Sequence, residues 1–279
     1  MINFYSYWLG DETEKKKIQN YFSKIEKLNK NIKFHLGPTQ KEHEHLLEKF
    51  KFYSINFNRK NFSFCSDVWR LYKMYVLQEN DNQDKNVYID SKTLFNESRI
   101  DELVSLIESK NNILIKEKPH RIWNGFIYLN SDNKNIIFDC LNFYYIFPHL
   151  TSSAIFIGPS IMGIFVCKLK QKKIQDIFFL DARDIDPLNN NGILKYNGFA
   201  SWHEKNKNKD LDEMKNGASY FHNQAIKFEN NKWTKIGTWW KKWYWDKFCI
   251  VFFPYVWIKL KTSKKLEIET SYFLDKKEK

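Results

Sequence analysis

The stretch Phe64–Leu94, FCSDVWRLYKMYVLQENDNQDKNVYIDSKTL, decides how this chain is read. Ser66 reads as the N-cap of a helix over residues 67–78, with Val68, Leu71, Tyr72 and Tyr75 on its buried side. Asp67 and Arg70 stand near the start of that helix, three residues apart. A polar loop over 79–86 follows, and the β-branched and aromatic run Val87–Ile89 reads as a strand that delivers Asp90 to its end. This order sets a carboxylate, a guanidinium and a second carboxylate around one pocket rim. Two residues further on stands Lys92, where a second acid would complete a metal-binding pair.

Working outward, strand and helix signals alternate through the first hundred residues. Met1–Leu9 reads as a buried opening strand closed by Gly10, and the spacing of Ile18, Tyr21, Phe22, Ile25 and Leu28 predicts a helix over 13–29. A short strand is expected over 32–36, punctuated by Gly37-Pro38, then a helix around 43–50. Further strands are expected over 112–115, 124–129 and 177–180, with an aromatic helix over 136–147 and a turn at Gly158-Pro159-Ser160. Alternation of this kind predicts an α/β fold, a mixed and mainly parallel sheet flanked by helices, with its ligand crevice at the carboxyl ends of the strands.

Composition narrows the classes. At 279 residues and 43% hydrophobic, the chain buries a core the size of one large domain. Polar residues follow directly on Gly10, so no apolar signal segment is read at the start. No apolar run approaches the length of a membrane span. Cys65, Cys140, Cys167 and Cys249 are scattered without metal spacing, which fits a reducing cytoplasm. The net charge of +12 raises nucleic acid as a partner, but only five residues are arginine, and base and phosphate forks favour arginine over lysine. A nucleic-acid partner is therefore disfavoured.

A composition shift sets residues 233–279 apart from a main domain over 1–232. Trp233, Trp239, Trp240, Trp243, Trp245 and Trp257 fall in this basic segment, which reads as a helical appendage. Tryptophan with lysine suits an anionic membrane surface, giving a peripheral location on its inner face, whereas the plain alternative is aromatic packing on the core with solvated lysines.

The segment Ser66-Asp67-Val68-Trp69-Arg70-Leu71-Tyr72, leading to Val87-Tyr88-Ile89-Asp90, resembles the S-D-x-x-R…Y-L-D-x-D signature of DXD-type GT-A glycosyltransferases. That group includes the yeast outer-chain mannosyltransferases, bacterial capsular polysaccharide transferases and large clostridial glucosylating toxins. INFYSYWLG resembles the family's opening strand, and Trp123-Asn124-Gly125-Phe126-Ile127 its mid-chain N-G-F-x-A segment. Ile157-Gly158-Pro159 resembles T-G-P, and Gly198–Trp202 resembles the terminal H-x-x-G-S-W. These landmarks fall in order across about residues 1–205. The chain departs from the pattern at Lys85-Asn86, which replaces Gly-Gly, at Lys92, which replaces the second acid, and at the histidines before Ser201-Trp202.

The resemblance implies transfer of a sugar from a UDP- or GDP-sugar donor to a hydroxyl of a glycan or glycolipid, with retention of configuration. It implies Asp67, Arg70 and Asp90 as catalytic residues. Trp8, Asp90, Lys92, Ser201 and Trp202 would bind the donor nucleotide, and Asp67, Arg70 and Asn124 the donor sugar. Mn²⁺ or Mg²⁺ would be held through Asp90, with direct coordination weakened by Lys92, whose ammonium could itself neutralise diphosphate charge. The same residues admit other readings. Asp67 and Arg70 form an ordinary i,i+3 ion pair by spacing, and Trp8 a core residue. Asp184-Ile185-Asp186 is a literal D-x-D beside Pro187, and His35, His43 and His45 read as lying on a charged face. A catalytically degenerate sugar-nucleotide binder, motivated by Lys92, and a basic membrane-surface or nucleic-acid adaptor, motivated by the C-terminal segment, stand as alternatives.

Overall fold

The structure is a computed structural model that describes residues 1–79, 84–91, 93–118, 121–148, 158, 161–163, 165–166, 177–181, 193–196 and 266–268. Lys92, the Asp184–Asp186 motif, Ser201, Trp202, and most of the Trp-rich segment lie outside these residues.

The opening strand β1 (Ile2–Tyr7) runs into helix α1 (Glu12–Leu28), whose first amides are held by the Asp11 carboxylate through Thr13 and Glu14. Strand β2 (Ile32–Gly37) returns parallel to β1, and helix α2 (Gln40–Lys49) starts on a Thr39–Glu42 capping box. Helix α3 (Lys51–Asn58) ends where Lys60 adopts a left-handed backbone, φ 58°. Helix α4 (Phe62–Glu79) leads to strand β3 (Lys85–Ile89), which joins the other side of β1, again parallel. Strand β4 (Thr93–Phe95), helix α5 (Ile100–Ser109), strands β5 (Ile113–Lys118) and β6 (Arg121–Tyr128) and helix α6 (Lys134–Ile146) follow. Strands β7 (Phe178–Asp181) and β8 (Leu194–Tyr196) complete the described elements.

The main sheet has the order β2-β1-β3-β6-β5-β7, and only β6 runs against the others. Strands β4 and β8 form a separate antiparallel pair. The expected mixed, mainly parallel sheet flanked by helices is therefore present. Side chains alternate between its two faces, as strand geometry requires. Ile2, Phe4, Val87, Ile89, Ile113 and Ile115 meet α1 and α5 on one face. Tyr5, Tyr7, Tyr88 and Leu114 meet α2, α3, α4 and α6 on the other. Both faces are covered, which explains the near-continuous apolar strands.

Three local expectations are corrected. Helix α4 begins at Phe62, so Ser66 lies inside it and Asp67 is not a helix-start acid. Phe64 and Cys65 extend the apolar pattern upstream, and the carbonyl of Asn61 accepts the first amides. The helix is buried almost all round because it is wedged against β1, β3, α3 and α6. Gly158 has helical backbone rather than a turn. The histidines are not on a charged face. His45 is buried and bonds the Tyr72 hydroxyl, His43 bonds that of Tyr53, and His35 stacks on Tyr5.

Part of the C-terminal segment is seated on the main core. Leu266 is buried, its amide donates to Asn142 Oδ1 at 3.2 Å, and Ile268 packs beside it. Among the described residues, no helix is long and apolar enough to cross a membrane.

Candidate functional site

The parallel strands β1 and β3 end side by side, tied by the Ser6 hydroxyl, which donates to the Ile89 carbonyl at 2.6 Å. Trp8 follows one strand and Asp90 the other. The Trp8 amide donates to Gly37 O, and the Asp90 amide to Gly125 O, so both residues are pinned to the carboxyl edge of the sheet. The Trp8 indole turns over the Gly10 backbone and donates through Nε1 to Asp11 O at 3.1 Å. It is half-buried at that edge.

Strand β6 supplies the next wall. Its pairing with β5 slips, Leu114 opposing Ile127 and Ile115 opposing Trp123, so Asn124, Gly125 and Phe126 are inserted as a bulge. Bulges re-aim side chains. Here the bulge turns Asn124 toward α4, where its Nδ2 donates to Asp67 Oδ1 at 2.8 Å.

Arg70 ties these walls together. Its Nη1 donates to the Asn124 carbonyl at 2.6 Å and lies 3.3 Å from Asp90 Oδ1, and Nη2 lies 3.3 Å from Asp67 Oδ1. Nε donates to Ser66 O, Nη2 also to Ser66 Oγ, and the guanidinium carbon lies 4.7 Å from the Tyr88 ring centroid. Burial works against the guanidinium charge, yet Tyr88, Asp90, Asp67 and Tyr144 around it hold the pKa above its ordinary value. The sequence thus brings Asp67, Arg70, Asp90 and Asn124 into one cluster.

The two carboxylates have different environments. Asp67 is sealed, its side chain 5% exposed, with Tyr144 Oη donating to Oδ2 at 3.4 Å. Burial is the largest influence on its carboxyl and pushes the pKa up to about 6, with Asp90 adding repulsion, against the pull of Arg70 and the donors Asn124 and Tyr144. Asp90 is 25% exposed, and Tyr88 Oη donates to its Oδ1 at 2.7 Å. Its Oδ2 lies over Gly125, where a Cβ would come within 2.6 Å. Of the two, Asp90 is the carboxylate open to solvent, and Asp67 is an internal anchor.

Tyr88, Tyr144 and Gly158 were not among the residues that sequence reasoning assigned to the site. The signal for Tyr88 was local: it is the one large polar-tipped residue before Asp90 in an apolar strand. For Tyr144 the sequence shows only an aromatic helix position.

The fit to a divalent cation is poor among the described residues. No group of three His, Cys, Asp or Glu side chains converges, and Asp90 Oδ1 is already taken by Tyr88 and Arg70. A hard cation prefers several oxygen ligands.

Fold and site together define an α/β protein with a polar, charge-bridged cluster at the carboxyl edge of a mainly parallel sheet. No protein-family model matches the chain, and no curated protein sequence does. Among solved structures it is similar to one titled "Crystal structure of a glycosyltransferase involved in the glycosylation of the major capsid of PBCV-1". The identity is 12% and the TM-score 0.45, over 74% of this chain and 97% of that one. A likeness that distant assigns no role to any residue.

Proposed function

We propose that the chain is a glycosyltransferase that moves a sugar from a nucleoside-diphosphate donor to a hydroxyl of a glycan or glycolipid, with retention of configuration. The observation that carries this reading is the pair of carboxylates bridged by one buried arginine at the carboxyl edge of β1 and β3. Ligands of open α/β sheets bind in that crevice. The ordered motifs at Trp8, Asp67–Arg70, Asp90, Asn124-Gly125 and Gly158 support it from the sequence.

In this reading the donor base lies on Trp8 and a ribose hydroxyl donates to Asp90 Oδ2. Arg70 and Tyr88 fix Asp90 before the ligand arrives, so little ordering cost falls on binding. The sugar lies toward Asn124 and the Asp67–Arg70 pair. As the anomeric carbon–phosphate oxygen bond breaks, the electron pair passes to the diphosphate, and the acceptor oxygen bonds the anomeric carbon and gives its proton to the departing diphosphate oxygen. Charge on the departing diphosphate must be met by fixed donors or cations, the role assigned to Lys92.

A second reading, a donor binder that no longer transfers, is favoured by the full internal pairing of Asp67 and Arg70. Turnover separates the two. Incubation with a panel of UDP- and GDP-sugars, with and without EDTA, is expected to release nucleotide. Asp90→Asn is expected to lower the rate by about a hundredfold. Binding without release would favour the degenerate reading, and full activity of Asp90→Asn would remove Asp90 from the site.

A further inference from the structure

We infer that Gly158 is a positioning residue of the donor-sugar subsite, present so that bare backbone packs on the Asp67–Asn124 pair. The inference rests on the donor reading above and extends it to a segment that begins beyond α6. A Cβ built at Gly158 would lie 2.1 Å from Asn124 Nδ2 and 2.9 Å from both Asp67 carboxylate oxygens. Carbon–nitrogen and carbon–oxygen contacts that short do not occur, so a side chain at 158 displaces something.

The backbone does not demand glycine there. Gly158 is helical, and no glycine among the described residues has positive φ. Space is therefore the reason. The atom nearest the missing methyl is the end of the Asn124 side chain, which is held in place by its 2.8 Å bond to Asp67 Oδ1. A methyl at 158 swings the amide away and leaves a buried carboxylate oxygen short of a donor, a costly state in a dry site. Gly158→Ala thus acts through Asn124. It disturbs the sugar end of the crevice and leaves the Trp8 and Asp90 end, where the nucleotide binds, untouched.

The test uses the full chain as wild type, Gly158→Ala, Asn124→Ala and the double variant. Each is titrated calorimetrically with UDP, GDP and their sugars, and unfolded in urea. Gly158→Ala is expected to weaken nucleotide-sugar binding about tenfold while free nucleoside diphosphate binds within about twofold of wild type. The double variant is expected to lose less than the two single variants summed, because both act on the Asn124 amide, while the 2.9 Å overlaps with Asp67 remain. Equal loss for nucleotide and nucleotide-sugar, or additive losses in the double variant, would overturn the assignment. If Gly158→Ala does not fold, the double variant relieves the closest overlap and is expected to recover folding; no recovery refutes it. Failure of the donor reading appears separately, as a wild type that binds no nucleotide-sugar. Non-additive unfolding losses would then still place Gly158 against Asn124 but without a sugar role.

Discussion

The sealed carboxyl of Asp67 makes a signed prediction about stability and pH. Its pKa lies at about 6 in the folded chain against an ordinary 3.8, with burial the leading cause. Well below pH 3.8 the carboxyl is protonated folded and unfolded, and the group costs nothing. Between about 4 and 6 the unfolded chain releases the proton while the folded chain keeps it, so stability falls as pH rises. Above the folded pKa the penalty is constant. At about 1.4 kcal/mol for each pH unit between the unfolded and folded pKa, the penalty reaches about 3 kcal/mol. Asp67→Asn preserves the shape and removes the titration. Urea unfolding of wild type and Asp67→Asn from pH 4 to 7.5 measures the difference directly. Wild-type stability minus that of the variant is expected to fall by about 2.5 kcal/mol across this range. A difference that rises with pH would refute the reasoning, because Arg70, Asn124 and Tyr144 would then outweigh desolvation.

Other expectations follow from the same geometry. Arg70→Ala leaves Asp67 buried without its cation and is expected to cost about 3–5 kcal/mol, so lost activity in that variant reports on folding as well as chemistry. Lys73→Met strands Glu42, 2% exposed and 3.0 Å from the lysine, and is expected to cost a similar amount by thermal unfolding. Tyr88→Phe keeps the ring under Arg70 and removes one donor to Asp90; nucleotide affinity is expected to fall about tenfold in titration. Deleting 233–279 removes buried Leu266 and is expected to cost at least about 2 kcal/mol. The membrane-surface reading is therefore better tested by replacing Trp239, Trp240, Trp243 and Trp245 with alanine. Co-sedimentation with anionic liposomes that survives this change would end it.

Much of the fold was legible in the sequence, because apolar runs and helical spacing are local signals. The alternation through β3 and the Asp90 strand end were read correctly for that reason. Helix α5 was missed although Ile100, Leu103, Val104 and Ile107 carry helical spacing, and α3 was lost beside α2, from which only Phe50 separates it. The start of α4 was misplaced because a serine before an acid imitates a cap, whereas Ser66 instead accepts from Arg70. Within the site, Asp67, Arg70, Asp90 and Asn124 were found because the first three lie within 24 positions of chain and Asn124 sits in a recognisable segment. Tyr144 and Gly158 were not placed, since their contacts with Asp67 span 77 and 91 positions and follow from how α6 and the chain beyond it return to α4. The β6 bulge that aims Asn124 is likewise a product of pairing, invisible to periodicity.

The proposed ligand is a nucleoside-diphosphate sugar held at the ends of β1 and β3 through Trp8 and Asp90. Isothermal titration of the full chain with UDP- and GDP-sugars, beside Trp8→Ala and Asp90→Asn, tests it most directly. At least one donor is expected to bind wild type, and each variant to bind it about tenfold or more weakly. Absence of binding to every donor, or equal binding by all three proteins, would contradict the claim.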